Sequence, residues 1–444
     1  MKPSKQILAL AVAAWTATSA LSACTSPPEA PDLPTDWRPH VRDVQVSSDT
    51  LTVKRVENLP DDFILGMDAS CVPSLEASGV TYSDHSGTVR DVYEILASCG
   101  VNYVRVRVWN DPFDASGRGY GGGNCDLSNA IAVGKRATAA GMKLLVDFHY
   151  SDFWADPSKQ MTPKAWVGMT IEQKTEALYT YTKESLEALT AAGVEVGMVQ
   201  IGNETNGTMC GESAERADGW KRITDLMSAG SRAVREVCPR ALVAIHFTNP
   251  ERVGSYATYS QKLHHYGVDY DVFASSYYPF WHGTLDHLSK VLTYVATTYG
   301  KKVMVAETSY AFTSCDTDFF GNTIGAVGSE VEGYPFTVQG QADLVRDVID
   351  TVANRTTGGI GVFCWEGTWI SVGGESYDAN RTLWERYGSG WATSAAGSYD
   401  PNDAGKWYGG CSVDNQAFFD EHGRATEALK VFALVRQGND PNTK

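Results

Sequence analysis

Positive charge is scarce in this sequence: 37 lysines and arginines stand against 53 aspartates and glutamates, a formal net charge of -16. Nucleic acids and polyanionic sugars are held by dense basic patches, so this balance excludes the first as a partner and argues against the second as the main ligand. A neutral ligand fits it. A membrane-spanning run is missing too. The apolar stretch from Ile7 to Leu21 is broken by Thr and Ser and is too short to cross a bilayer as a mature helix. No internal repeat longer than one strand-plus-helix unit is present. What the chain does have is material for a large core, 43% hydrophobic residues over 444 positions, and many flat rings, 12 Trp and 21 Tyr. Most such rings fill cores, but Trp in loops beyond strand ends can present apolar faces to sugar rings.

Lys2 and Lys5 ahead of the short apolar stretch read as an export signal. It closes on Leu21-Ser-Ala-Cys24, which resembles the lipobox of bacterial lipoproteins, where cleavage precedes the cysteine and the cysteine is lipidated. The reading is a signal peptide over 1–23 and an exported bacterial protein anchored to the cell membrane by lipidated Cys24. Several acyl chains give a stable anchor, and no other membrane contact is expected. Residues 24–58 form a tether and N-terminal extension, Pro-rich and acidic up to about 37, with weak alternation from Val41 to Val53 that suggests a short extra strand. Residues 437–444 are a C-terminal tail, and a monomer is expected.

Over 59–436 short β-rich runs alternate with helical patterns, the signature of a parallel sheet. The runs cover 63–67, 103–109, 143–149, 198–201, 242–247, 272–278, 303–306 and 361–365. Helical patterns fit between them at 89–98, 127–140, 171–192, 214–237, 256–266, 285–299 and 339–353. This predicts a single (β/α)8 TIM barrel with long loops after strands 7 and 8, residues 311–338 and 366–416. Strand parity then sorts the side chains. In each strand the helix-facing set must be apolar, and polar groups facing the barrel interior survive only if paired. Val104, Val106 and Val108 take the outer face, which points Tyr103, Arg105, Arg107 and Trp109 inward; likewise Asp147, His149 and His246 face in.

Two strands end in a carboxylate, at Asn203-Glu204 and at Glu307, and barrels of this kind carry reactive groups at C-terminal strand ends. Such a pair suits glycosidic bond cleavage, in which one group is protonated to assist the leaving oxygen and the other ionised to meet charge at the anomeric carbon. Glu307, with Arg107 in reach, should be held ionised as nucleophile. Glu204, beside apolar and amide neighbours, suits the acid that later serves as base, with Asn203 placed for the sugar's 2-hydroxyl.

Asn203-Glu204 closing strand four, Glu307 closing strand seven, an inward Arg on strand two and Trp365 closing strand eight resemble the clan of retaining glycoside hydrolases built on this barrel. The stretches Gly66-Met-Asp-Ala-Ser70, Val104-Arg-Val-Arg-Val-Trp-Asn110, Leu145-Val-Asp-Phe-His-Tyr-Ser-Asp152 and Ser276-Tyr-Tyr-Pro-Phe-Trp281 narrow the resemblance to the endo-β-1,4-galactanases of glycoside hydrolase family 53, over about residues 63–432. The resemblance implies a catalytic domain over 59–436 and neutral β-1,4-galactan as substrate. It also implies retained configuration, Glu204 as acid/base, Glu307 as nucleophile and no cofactor for catalysis. It points to Asp68, Arg107, Trp109, Asp147, His149, Asp152, Trp154, Asn203, Tyr277, Tyr278 and Trp365 as lining the sugar subsites. A carbohydrate-binding module would use the same aromatic groove but has no need of a buried carboxylate pair. A β-mannanase, cellulase or xylanase of the same clan would share the pair and differ in the loops.

Nine cysteines less Cys24 leave eight in an exported chain, where disulfides can persist. Cys99, Cys238 and Cys364 sit in helix-end or strand contexts, and Cys71 lies just past the first strand. Cys125, Cys210, Cys315 and Cys411 fall in loops on the mouth side. Bacterial members of the family resembled can hold a structural calcium ion between the loops after strands 7 and 8, which here corresponds to Asp316, Asp318, Asn322 and Asp414. This chain departs from that pattern, with Phe320 where a histidine is expected and Cys315 and Cys411 beside the two halves of the site. The expectation is a Cys315–Cys411 disulfide tying the loops, with a second pairing of Cys125 and Cys210. Side-chain oxygens alone are too few for calcium, so backbone carbonyls and water would complete its shell.

Overall fold

The computed structural model describes residues 36–439; Cys24, the export signal and residues 440–444 lie outside that range. The barrel strands are β1 (Ile64–Asp68), β2 (Tyr103–Val108), β3 (Lys143–Phe148), β4 (Val196–Ile201), β5 (Leu242–Phe247), β6 (Val272–Ser276), β7 (Lys302–Thr308) and β8 (Gly359–Cys364). All pair in parallel in chain order, and β8 returns to β1 with Ile64 opposite Gly361, so the barrel is closed. The helices are α1 (Val72–Ala77), α2 (Val92–Ser98), α3 (Leu127–Ala139), α4 (Ile171–Ala191), α5 (Gly219–Val237), α6 (Ser255–His265), α7 (Leu285–Tyr299), α8 (Val338–Asp350), α9 (Tyr377–Tyr387) and α10 (Val431–Gln437). Helix starts follow local chemistry. Asp126 and Thr284 accept backbone N–H groups at the heads of α3 and α7, and Thr170 with Gln173 forms a capping box at α4. Helices α1, α9 and α10 were not legible as helical patterns.

Outward-facing Val104, Val106, Val108, Leu144, Val146, Val243 and Ile245 pack under the helices, each buried side chain contributing about 1.5–3 kcal/mol. The barrel interior divides in two. Its lower half is apolar, with Ile64, Tyr103, Leu145, Met198, Leu242, Val272 and Met304 in one cluster, and its upper half is polar. Trp37 seals the bottom, 6% exposed, its carbonyl accepting the Tyr103 hydroxyl at 2.6 Å. Gly197 is required there, because a Cβ at that position would lie 1.8 Å from the Tyr103 oxygen.

The short extra strand expected within 41–53 is not formed. A closed barrel offers no free edge to extend, and the segment packs instead through Leu51, Val53 and Val56. Its backbone meets the C-terminal end of the chain: Val56 N donates to Val435 O at 2.8 Å and Val53 N to the Asn439 side chain at 2.7 Å. Residues 51–56 thus pack on the domain and are tied to its C-terminal end. No helix among the described residues is long and apolar enough to cross a membrane.

Candidate functional site

A groove crosses the C-terminal mouth of the barrel, and Glu204, Glu307, Asn203, Tyr278, Trp154 and Trp365 line it together with Arg107 and His149. Glu204 stands in the turn after β4, held at φ +47° behind Gly202 at φ +81°. A left-handed glutamate is an uncommon conformation, and the neighbouring Thr205 N–H to His246 O bond at 3.0 Å fixes it. Glu307 depends on a different device. Met304 and Ala306 face the barrel interior, so plain alternation would turn Glu307 outward. The pairing of β6 with β7 slips there, from Ser275–Val305 to Ser276–Glu307, and this bulge brings the carboxyl into the mouth.

The two carboxyls have opposite surroundings. Glu307 Oε1 lies 2.8 Å from the Arg105 guanidinium, and its Oε2 accepts the Tyr278 hydroxyl at 2.8 Å. Burial pushes Glu307 up, and the Arg105 charge and the Tyr278 bond oppose it. Glu204 has no cation in contact. Burial and then the charge of Glu307 raise it to about 8, with the Ser276 and Thr248 hydroxyls as the opposing partners. The groove therefore holds two carboxyls raised by burial, one opposed by an adjoining cation that favours its ionised form and one with no such cation, inclined to keep its proton.

The cation that braces Glu307 is Arg105, not Arg107. The same guanidinium binds Asp68 at 3.0 Å, Asp147 at 2.9 Å and Asn203 Oδ1 at 2.9 Å. Arg107, one pleat higher, pairs with Glu366 and Cys71 Sγ and lies 4.2 Å from the Trp154 ring centre. Glu366 was missed because it directly follows Trp365, where alternation from β8 breaks down. It sits at φ +44°, and burial raises it to about 7 against the pull of Arg107. Its Oε2 has no hydrogen-bond partner.

Five of the expected subsite residues lie behind the groove wall. Asp68 and Asp147 are fully buried ion-pair partners of Arg105. Trp109 donates its indole N–H to His149 Nδ1 at 3.1 Å and packs on Trp154. Asp152 accepts the Asp111 and Lys164 backbone N–H groups, holding two loops together. Tyr277 donates to Gly283 O at 3.0 Å within the outer core. In their place the long loops bring Trp369 and Trp391 to the groove, and Trp281, 51% exposed, stands at its rim. Lys159 ties the loop after β3 to the loop after β8 through Asp400 at 2.8 Å and Asp403 at 2.7 Å.

The expected disulfides are absent: Cys315, Cys411, Cys125 and Cys210 are free thiols. Cys315 is exposed, whereas Cys411 is buried with its Sγ 3.8 Å from Trp369 O, and the two thiols are unpaired. Cys125 turns its Sγ to Gly122 O at 3.2 Å, and Cys210 is buried in the outer core beneath Lys174. Beside Cys411, carboxylate oxygens of Asp316, Asp318 and Asp414 lie within 4.8 Å of one another. The Oδ1 atoms of Asn322 and Asp414 are buried without a hydrogen-bond partner, and burial pushes Asp318 up to about 7. Orphaned hard oxygens around mutually repelling carboxyls fit an oxygen-preferring divalent cation.

Residues 64–432 match the model of glycosyl hydrolase family 53. The chain is 54% identical to an endo-beta-1,4-galactanase of Bacillus subtilis over 401 residues, 90% of this chain and 92% of that one. It is 34% identical to an arabinogalactan endo-beta-1,4-galactanase of Cellvibrio japonicus, over 76% of this chain and 87% of the other. The solved GH53 catalytic domain of Ignisphaera aggregans superposes with a TM-score of 0.77 at 39% identity, covering 87% of this chain and 99% of that domain. With the barrel, the strand-end carboxyls and a match spanning nearly the whole described domain, this chain belongs to glycosyl hydrolase family 53.

Proposed function

We propose that the protein cleaves β-1,4-galactan within the chain and retains the anomeric configuration, with Glu307 as nucleophile and Glu204 as acid and then base. The observation that carries the reading is the asymmetry of the pair: Arg105 at 2.8 Å from Glu307, and no cation at Glu204. Ionised Glu307 attacks the anomeric carbon while Glu204 gives its proton to the departing glycosidic oxygen. Glu204, now a carboxylate, then takes a proton from the water that opens the glycosyl ester. Tyr278 holds the second oxygen of Glu307 and so fixes which lone pair faces the sugar. Trp154 and Trp365, both partly exposed, offer flat faces along the groove, which suits a neutral polymer lying across it. Release of reducing ends from purified galactan, mannan, cellulose and xylan, compared side by side, tests the substrate. Turnover fastest on mannan, cellulose or xylan would overturn it.

The catalytic steps use no cofactor in this reading. Asp316, Asp318, Asn322 and Asp414 would hold a structural calcium ion, which when bound would neutralise their mutual repulsion and tie the two long loops together. Leu21-Ser-Ala-Cys24 supports export and membrane anchoring through lipidated Cys24, acting as a monomer; the intact mass of the mature chain reads the lipid directly, and its absence would refute the anchor.

A further inference from the structure

Ser276 closes β6, is fully buried, and has one hydroxyl hydrogen but two acceptors. Its Oγ lies 2.5 Å from Glu204 Oε1 and 2.9 Å from His246 Nε2. The neighbours settle the imidazole tautomer. His246 Nδ1 lies 2.9 Å from Asn203 Oδ1, and that amide cannot flip, because its Oδ1 also accepts from Arg105 while its Nδ2 donates to Ala155 O. Gln200 Nε2 is close to the same ring nitrogen, yet its two hydrogens go to Asp147 Oδ1 at 2.6 Å and Gly202 O at 3.1 Å. The Glu204 backbone N–H also points at Nδ1, at 3.4 Å, but it is the longest of these contacts and the Asn203 oxygen at 2.9 Å outweighs it, so Nδ1 carries the hydrogen and Nε2 is a bare acceptor aimed at Ser276. Burial, then the Arg105 charge, hold the ring neutral.

We propose that the Ser276 hydroxyl is a rotor between these two acceptors, donating to His246 while Glu204 is protonated and turning to Glu204 as that group loses its proton. The proposal rests on Glu204 being the acid/base. Its consequence is differential: the hydrogen bond to Glu204 exists only once negative charge develops there, so it strengthens in the transition state and is not spent on the resting enzyme. The 2.5 Å contact is that of the ionised carboxylate; with the hydroxyl turned to His246 no hydrogen lies between Oγ and Oε1, so that contact lengthens and Oε2 carries the catalytic proton. When Glu204 turns base, the rotor returns to His246 and no buried donor is left unpaired at either stage. Ser276 is thus a positioning residue that acts through Glu204. The other groups bearing on Glu204 are Glu307 on β7, Asp156 after β3, Tyr278 after β6 and Tyr256 on α6.

The test compares kcat/KM on a galacto-oligosaccharide, whose leaving oxygen needs a proton, with kcat/KM on a nitrophenyl galactoside, whose leaving group does not. In Ser276→Ala the ratio of the two should fall at least about tenfold, as expected for weakened acid assistance. The sign for pH follows from removing a donor to the ionised form: the proton is held more tightly, and the alkaline limb of kcat/KM moves up by about one pH unit. Ser276→Thr, which keeps the hydroxyl, should restore both. The ratio is measured within one preparation, so a smaller folded fraction cancels. Equal losses on both substrates with an unmoved limb would overturn the proposal and leave Ser276 a packing residue. Glu204→Ala run alongside separates the two ideas. If it too keeps the wild-type ratio, the acid/base assignment itself fails; if it loses oligosaccharide activity selectively while Ser276→Ala does not, only the rotor fails.

Discussion

At the scale of single residues the site is a matter of one guanidinium serving three carboxylates. Arg105 holds Asp68, Asp147 and Glu307 at once, all of them out of water. Arg105→Met would leave buried charges without a partner and should lower stability by about 3–5 kcal/mol in urea unfolding, besides raising Glu307. Glu307→Gln should leave the melting temperature near that of the parent and oligosaccharide binding intact, with turnover lost; near-normal turnover would reassign the nucleophile. Glu204→Ala should lose about 10²–10⁴-fold on polymer, and azide should restore hydrolysis of substrates with good leaving groups. Because Glu204 must be protonated to act and burial raises it to about 8, kcat/KM should fall as pH rises through that region. A limb that breaks below pH 6 would contradict this assignment.

At the scale of elements, the loops after β7 and β8 are the long connections of the barrel mouth. Burial raises Asp318 to about 7, well above its value in an unfolded chain, so the folded metal-free protein binds the extra proton. Stability from this group is present below about pH 4 and lost as pH rises through 7. Chelator-treated protein should therefore melt lower at pH 7.5 than at pH 5, and added calcium should recover the difference; identical melts with and without chelator would remove the metal. How much of this could be read in the chain follows from the same geometry. Alternation within β2, β3 and β5 put Arg105, Arg107, Asp147, His149 and His246 inside, because a buried strand leaves one parity no choice. Which arginine meets which carboxylate depends on the offset between neighbouring strands, here Arg105 opposite Asp68, and no single strand encodes that. The β7 bulge that turns Glu307 inward and the direction of each thiol are likewise set by neighbours far along the sequence. A spacing argument could bring Cys315 and Cys411 to one region, but not aim their sulfurs at each other.

At the scale of the whole molecule, the barrel is closed at its base by a residue outside it. Trp37 covers the apolar lower half, and Trp37→Ala should cost about 3–5 kcal/mol of stability with kcat at 25 °C unchanged, since the groove lies at the opposite end. A matching loss of kcat at full folding would show coupling through the barrel instead. The closure between β1 and β8 has a bearing on biogenesis. Ile64 cannot find Gly361, nor Val56 find Val435, until almost the entire polypeptide is available. Such contacts between distant parts of a chain form late and slowly. An emerging N-terminal portion has no complete partner surface to settle on, so folding is deferred to the end of synthesis. Were the chain exported as proposed, a secretion channel that accepts only extended polypeptide would meet it in the state such a channel can carry.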